Sequence, residues 1–349
     1  MSFYYDLEHA KFVQTLREQG LTWTEVEDEF EKEFGERKSH DTLRISTKKL
    51  LLSVDDQEDE DDIMEVPVRI RSKKAKREPE ALPEYLLYEP KAKIKPGKAK
   101  SKGTALIIPD CHIPYHDQRA YELMLKVAQD VKDLKEIVIL GDYADFYAAS
   151  AHGKHPKFTH VLMDEISQVR KELERLAKMF PKVKRVFIQG NHEYRLERYI
   201  YNNAPDLFGI IDTRSILCLD ELGYEFVPYG SNQKYSVMGS KLYARHEPIG
   251  GGTHAANSTV DKAGCSMVFG HIHRIQQYRK VFIDGADHMA ASVGWLGDKD
   301  SPVMGYLKNH AQWQLAFGFV SVLDNGHFFL DTKHIIEYCT VHHGRLYKG

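Results

Sequence analysis

Four short apolar runs, each ending at a small polar motif, constrain the fold of this 349-residue chain most strongly. The runs end at Asp110, Gly141-Asp142, Gly190-Asn191 and Gly270-His271. Their length and unbroken apolar character are typical of strands buried on both faces, as in α/β proteins. Segments with helical spacing of apolar residues lie between them, at about 118–132 and 163–179. We therefore expect an α/β fold whose polar motifs meet at the carboxyl ends of the strands.

The polar motifs supply carboxylate, amide and imidazole groups in a fixed order. They are Asp110-Cys111-His112, Gly141-Asp142-Tyr143-Ala144-Asp145, Gly190-Asn191-His192-Glu193, an isolated His246, and Gly270-His271-Ile272-His273. Such ligands suit manganese, iron, zinc or related divalent ions, and the motifs lack the paired thiolates of a structural zinc site. Two such ions can neutralise a phosphate and stabilise the attacking and leaving oxygens of an in-line displacement. The motifs therefore indicate metal-assisted hydrolysis of a phosphate ester.

In this order the motifs resemble those of the calcineurin-like metallophosphoesterases, whose pattern is D-x-H, G-D-x-x-D, G-N-H-[DE], H and G-H-x-H. The resemblance spans about residues 104–340, and five ordered motifs are far more specific than any one of them. It implies a two-sheet β-sandwich flanked by helices and a metal-dependent phosphoesterase activity. It also implies two divalent metal ions, with manganese as the first choice and magnesium, iron, zinc, cobalt and nickel as alternatives.

The resemblance also implies a role for each motif position. Asp142 resembles the carboxylate that bridges the two ions. His192 resembles the histidine that protonates the leaving oxygen or stabilises the transition state. Asp145 either orients His192 through a hydrogen bond or is a solvated carboxylate at a strand end. The other predicted ligands are Asp110, His112 and His273 for one metal, and Asn191, His246 and His271 for the other.

Two positions within this pattern need a choice. The family has His-Gly where this chain has His246-Glu247, and His254 is an alternative ligand. We favour His246, because it follows a predicted strand at 241–245, whereas His254 follows three consecutive glycines. Cys111 lies between two predicted ligands, and its side chain should face away from them in an extended segment.

Two arginines are candidates for binding the substrate phosphate. Arg195 follows Asn191-His192 at a predicted helix start, and the alternative is a solvated helix face shared with Glu193 and Glu197. Arg274 directly follows the last predicted ligand, where an ordinary surface salt bridge is an equal alternative.

The first 52 residues predict a separate all-α module. An amphipathic segment at 7–19 comes first, and Thr22 with Glu25 fits a capping box at the start of a second helix. Ser39 would cap a third helix at about 40–52. The basic residues of that helix are Arg44, Lys48 and Lys49. Three such helices resemble a helix-turn-helix unit that binds DNA, and a protein-binding or oligomerising bundle is the alternative.

Residues 53–103 predict a charged linker between this module and a catalytic domain at 104–349. The linker is acidic up to residue 65 and then rich in lysine, arginine and proline. Its basic part, which includes residues 69–77, would bind a phosphate backbone by releasing counterions. A solubilising tether is the alternative.

Two features near the end of the chain complete the predicted catalytic domain. Asp324-Asn325-Gly326 lies between apolar runs, which indicates a hairpin, and we expect this hairpin in the second sheet. Residues 292–302, with Trp295, are a candidate loop on the substrate side. A plain surface turn is the alternative.

The two-metal pattern does not choose a substrate, because nucleases, phosphodiesterases and phosphatases share it. Phe146 after Asp145 and Glu247 after His246 depart from the protein serine/threonine phosphatases. The helical module and basic linker favour DNA as the partner, as in the phage or prophage-type phosphoesterases that the chain resembles more weakly. Our first hypothesis is a DNA nuclease or phosphodiesterase that uses a metal-activated water. The alternatives are a phosphomonoesterase acting on nucleotides or small phosphates, and a non-catalytic DNA- or protein-binding protein.

Composition bears on the compartment. No apolar run is long enough to cross a bilayer, and the first residues do not resemble a signal peptide. The 4 cysteines lack zinc-like spacing, which favours a reducing compartment. We expect a cytoplasmic protein, in the host cell if phage-encoded, with no membrane partner. A homo-oligomer or a protein partner would form through the N-terminal module.

Overall fold

The computed structural model describes residues 7–39, 41–47, 98–151, 161–301 and 312–349. The chain divides into two compact units, Met1–Lys93 and Ile94–Gly349. Residues 53–97 of the predicted linker, together with Lys48 and Lys49, lie outside the described residues. The boundaries of the linker and its role therefore stay a prediction.

Helices build the described part of the first unit. Helix α1 spans Leu7–Glu18, α2 spans Trp23–Phe34, and residues 41–47 are also helical. Their apolar faces pack into a small core around Val13, Val26, Phe30 and Leu43. The predicted all-α character of this region is confirmed, whereas binding of DNA by it stays a prediction.

Side-chain caps begin both later helices of this unit. The Thr22 amide donates to Oε2 of Glu25 at 2.7 Å, and the Glu25 amide donates to Oγ1 of Thr22 at 3.4 Å. This is the predicted capping box, which satisfies two amides that a helix start leaves without intrahelical partners. Ser39 caps the segment at 41–47 by accepting from the Thr42 amide at 3.5 Å. Arg44 on that segment is exposed.

The second unit is built on two mixed β-sheets. Its strands are β1 (Ser101–Ile108), β2 (Leu134–Ile139), β3 (Lys184–Ile188), β4 (Tyr224–Val227), β5 (Tyr235–Ser236), β6 (Leu242–Arg245), β7 (Ser266–Phe269), β8 (Ile275–Val281), β9 (Asp287–Val293), β10 (Ala316–Leu323), β11 (Phe328–His334), β12 (Cys339–His342) and β13 (Arg345–Lys348). Among the described residues, the strand order is β11-β10-β1-β2-β3-β4 in the first sheet and β5-β6-β7-β9-β8 in the second. Strands β12 and β13 pair separately.

Helices cover the outer faces of the two sheets. They are α3 (Gln118–Gln129), α4 (Leu162–Met179), α5 (Tyr194–Asn203), α6 (Thr213–Ile216) and α7 (Ala255–Ala263). Helices α3 and α4 pack on the first sheet, and α7 packs on the second. Within the described ranges, no helix combines the length and the apolar character that crossing a bilayer requires.

Alternation along the central strands explains the layers. Ile107 of β1 faces the core between the sheets, which Val268 of β7 also enters, whereas Ile108 faces the helices. Both side chains are fully buried, because each face of β1 is covered. The predicted α/β sandwich with two sheets and flanking helices is therefore confirmed. Four predicted apolar runs became β1, β2, β3 and β7, and the two predicted helical segments became α3 and α4.

The predicted hairpin forms, but it lies in the first sheet, so its assignment to the second sheet was wrong. Strands β10 and β11 pair antiparallel, and β10 also pairs antiparallel with β1, for example Phe319 with Leu106. Most of β10 is buried. A strand that is apolar on both faces is stable inside a sheet, and β1 leaves one edge open for it.

We predict that a protein lacking residues 1–93 keeps the second unit folded, whereas removing residues 1–103 lowers the free energy of unfolding of that unit. Ser101 and Gly103 of β1 pair with β10, although they lie within the range predicted as linker. Losing those ladder bonds should cost about 1–3 kcal/mol. Urea unfolding of the two truncated proteins would measure this difference. Equal midpoints would contradict a contribution from the pairing of Ser101 and Gly103 with β10.

Candidate metal centre

The polar motifs meet where the parallel strands of both sheets end. Parallel pairing of β1, β2 and β3 puts their carboxyl ends at one edge, and β6 and β7 do the same in the second sheet. Three groups of potential ligand atoms result in the described part of the chain, each within 4.8 Å. They are Asp110, His112, Asp142 and His273; Asp142, His246 and His271; and His112, Asp145 and His192.

The backbone at this edge adopts uncommon conformations. His112, Asp142, His271 and His273 have positive φ values, between +46° and +67°. Such conformations cost of order 1 kcal/mol or more each for residues with a side chain. They turn the chain sharply after each strand and direct the four side chains inward. A side chain at Gly190 would collide with Asp142, so glycine is required where these two loops touch.

In the first group, a hydrogen bond sets the direction of the His112 lone pair. Nδ1 of His112 donates to Oδ2 of Asp145 at 3.1 Å, because the charged carboxylate can only accept. Burial, followed by the charge of His192, lowers the pKa of His112 to about 4. Its Nε2 therefore carries a lone pair at neutral pH, and it faces Nε2 of His273 at 3.1 Å. The latter atom lies 3.1 Å from Oδ2 of Asp110.

In the second group, a backbone carbonyl orients the His246 ring. Nδ1 of His246 donates to the Leu140 carbonyl at 2.9 Å, which aims Nε2 at Oδ1 of Asn191, 2.8 Å away. That oxygen also lies 2.9 Å from Nδ1 of His271. Burial lowers the pKa of His246, but the charge and hydrogen bond of Asp142 outweigh it and raise the pKa to about 10. A cation bound to these atoms would compete with that proton.

Asp142 lies between the two groups and belongs to both. Its Oδ1 accepts from the His192 amide at 2.8 Å, and its Oδ2 lies 3.3 Å from Nε2 of His246. Burial raises the pKa of Asp142, but the charges of His192 and His246 overcome it and hold the pKa well below the ordinary value. The carboxylate is therefore charged, which fits a bridge between two cations.

Residues 103–275 match the family model described as calcineurin-like phosphoesterase. The chain contains a calcineurin-like phosphoesterase domain. The matched range includes every predicted ligand, from Asp110 to His273. This match and the buried Asp/His groups support metal-dependent hydrolysis of a phosphoester. A comparison with curated proteins gives no match.

Asp145 of the phosphoesterase domain is buried and contacts several residues of the site. The alternative interpretation of Asp145 as a solvated carboxylate was therefore wrong. Its Oδ2 lies 3.2 Å from Nδ1 of His192, as well as beside His112. Arg195 donates through Nη1 to the carbonyl of Asp145 at 3.1 Å and to its Oδ1 at 3.3 Å, and through Nη2 to Nε2 of His192 at 2.8 Å. Asp145 therefore orients two histidines and is itself held by Arg195.

The face of α5 that carries Arg195 is not solvated, contrary to the alternative considered from the sequence. Arg195, Glu193 and Glu197 are all buried. The described partners of the Arg195 guanidinium are Asp145 and His192, so this side chain holds two residues of the site in place. Direct binding of phosphate by Arg195 stays a prediction.

A cleft of about 640 Å³ opens beside the second group of ligands. His271, Arg274 and Glu247 are among the residues that line it. Arg274 donates to the Gly252 carbonyl at 3.2 Å and to Oε1 of Gln312 at 3.3 Å. Within the described ranges it forms no salt bridge, and its contact with phosphate stays a prediction. His254 is exposed and belongs to none of the three ligand groups.

Two tryptophans pack on His273. The Trp295 ring stacks on the imidazole with centroids 5.0 Å apart, and Trp313 meets it edge-on at 4.3 Å. Trp295 is only 1% exposed, so a plain surface turn at this residue was wrong. The role of residues 292–302 on the substrate side stays a prediction. Cys111 is buried and donates to the Pro109 carbonyl, away from the ligand groups, as expected.

Glu193 ties two loops together, a role that the sequence alone did not predict. Its carboxylate accepts from the amides of Asp142 at 3.0 Å, Ala144 at 2.8 Å and Gly190 at 2.8 Å. The first two amides follow β2 and the third follows β3. The acidic last position of the G-N-H-[DE] motif was the available signal, but its partners are distant in sequence.

We predict that Glu193→Ala destabilises the phosphoesterase domain by about 3–5 kcal/mol, because three buried amides would lose their acceptor. Urea unfolding of the full chain, followed through the fluorescence of Trp295 and Trp313 in a Trp23→Phe background, would measure this. Glu221→Ala is the matched control, since Glu221 is exposed. A loss below 1 kcal/mol would contradict the role assigned to Glu193.

Proposed function

We propose that the domain hydrolyses phosphodiester bonds of a polynucleotide, with DNA as the first candidate, using two divalent metal ions. The observation that carries this proposal is the position of Asp142, which is shared by two groups of ligand atoms beside His192. One ion would be held by Asp110, His112, Asp142 and His273, and the other by Asp142, Asn191, His246 and His271.

The donor set fits such ions. Nε2 of His112 and His246 points inward because Nδ1 is occupied by Asp145 or by a backbone carbonyl. Carboxylate, amide and imidazole donors suit manganese first, with magnesium, iron, zinc, cobalt and nickel as alternatives. When bound, two such ions supply positive charge that offsets the phosphate and lowers the pKa of water.

The chain's own residues supply the proton and its orientation. His192 lies beside Asp142, and Asp145 holds its Nδ1. The charges of Asp142 and Asp145 outweigh burial and raise the pKa of His192. These charges favour a proton on His192, which makes this side chain the candidate donor to the leaving oxygen. Arg195 fixes the Asp145 carboxylate and touches Nε2 of His192, so it would have to yield that nitrogen when the proton moves.

Three features support a polynucleotide as the substrate. The cleft of about 640 Å³ is much larger than one phosphate group needs. The N-terminal unit presents Arg44 at its surface. The predicted linker contains the basic run at 69–77. Lysine and arginine contacts add affinity for a chain of phosphates that a small ester cannot use.

We predict that the wild-type protein binds two metal ions and that Asp142→Asn abolishes turnover and weakens binding of both. His192→Gln should retain two ions and lose turnover by about 10²–10⁴-fold, because its proton acts in the transition state. Elemental analysis and hydrolysis of bis-p-nitrophenyl phosphate would measure the two effects. A His192→Gln protein that loses metal would contradict the separate role of His192, and saturation at one ion would contradict a two-metal centre.

We predict that neutralising Arg44, Lys48 and Lys49 lowers activity on DNA and leaves bis-p-nitrophenyl phosphate hydrolysis unchanged. Each lost phosphate contact should reduce the salt dependence of DNA binding, with a slope change of about 1 per contact. Neutralising the exposed Lys171, Lys178 and Lys182 of the second unit is the matched control. Equal salt sensitivity for DNA and the small diester would instead favour a phosphoesterase for small substrates.

A further inference from the structure

Glu247 places a carboxylate in the cleft at a position where the family motif has glycine. It directly follows His246, and it lines the cleft together with His271 and Arg274. A glycine there would contribute neither volume nor charge. The substitution therefore changes the electrostatic character of the cleft beside the candidate metal centre, without altering the ligand set.

Tyr229 holds this carboxylate in place. Its hydroxyl donates to Oε1 of Glu247 at 2.7 Å. The Tyr229 ring stacks on Tyr194 at the start of α5, with centroids 5.0 Å apart and planes at 28°. Burial, followed by the hydrogen bond to Glu247, raises the pKa of Tyr229, so the hydroxyl remains a donor. In the part of the chain that the structure describes, Oε2 of Glu247 has no hydrogen-bond partner, so that oxygen is available to the cleft.

Other charged and titratable groups lie around Glu247. Arg274 is held across the cleft by the Gly252 carbonyl and Gln312. His246 and His271 contact Asn191, and Arg245 is buried before His246. Among the described residues that line the cleft, Arg274 carries a positive charge, which would attract a phosphate, and Glu247 carries a negative charge, which would repel excess negative charge.

We propose that Glu247 selects phosphodiesters over phosphomonoesters by charge, an inference that rests on the proposed phosphoester hydrolysis. A phosphodiester carries one negative charge, whereas a monoester carries about −1.5 to −2 at pH 7. Both esters meet the same ligands and the same Arg274. The additional charge of the monoester is repelled by Glu247, and at separations of several ångströms near a protein surface this repulsion is worth about tenfold in relative rate.

The test is the ratio of kcat/KM for bis-p-nitrophenyl phosphate to that for p-nitrophenyl phosphate, measured on the full chain loaded with manganese. Glu247→Gln should lower this ratio about tenfold, mainly by raising monoester hydrolysis. Tyr229→Phe should lower it in the same direction by less, since it releases the carboxylate without removing it. Glu337→Gln removes an exposed carboxylate that does not line the cleft and serves as the matched control.

A pH profile separates charge from shape. The monoester loses its second charge as the pH falls below about 6, so the wild-type ratio should fall in that range as the repulsion weakens. Effects of pH on the ligands act on both esters and cancel in the ratio. The Glu247→Gln protein should show a flatter profile, which a purely steric role of the side chain would not produce.

The outcomes distinguish the inference from the function on which it rests. A ratio that changes less than about twofold in Glu247→Gln, or a profile parallel to wild type, would overturn the role of Glu247 while leaving phosphoester hydrolysis in place. A metal-loaded wild-type protein that hydrolyses neither ester would overturn both. Should Glu247→Gln fail to fold, the wild-type pH profile and the Tyr229→Phe ratio still show whether the charge of Glu247 affects the choice of ester.

Discussion

Three backbone amides converge on the buried carboxylate of Glu193, and the geometry of the candidate metal centre depends on that convergence. The amides belong to the loops after β2 and β3, so one side chain fixes the distance between Asp142 and Asn191. A buried carboxylate is costly unless it is fully hydrogen-bonded. Burial, followed by the charge of Asp142, raises the pKa of Glu193 to about 7. The three hydrogen bonds offset the cost of burying this carboxylate, and they hold the two loops at a fixed separation.

Groups next to the predicted ligands also fix the orientation of those ligands. Asp145 and the Leu140 carbonyl occupy Nδ1 of His112 and His246, respectively, which directs each Nε2 to the centre. Trp295 holds the plane of His273. Each of these three predicted ligands is therefore positioned by a neighbour outside the predicted ligand set, and such neighbours tune ligand orientation and basicity.

Much of the fold followed from the apolar runs and their spacing. Strand β7 ends directly before Gly270, as the sequence predicted, and the capping box at Thr22 formed as expected, because these features depend on near neighbours. The sheet that receives β10 did not follow, since an Asn-Gly turn specifies a hairpin and not its next partner. Open edges and the burial of both faces of β10 decided that pairing.

The sequence by itself determined the identity and order of the donor groups, since carboxylate, amide and imidazole residues after buried strands are recognisable without coordinates. Only the tertiary structure decided which of them touch. It buried Asp145 and Arg195 against His192. From the sequence, a solvated helix face had been an alternative for Arg195. It also brought Tyr229 to Glu247. Contacts between distant segments depend on how two sheets pack, and no local pattern encodes that packing.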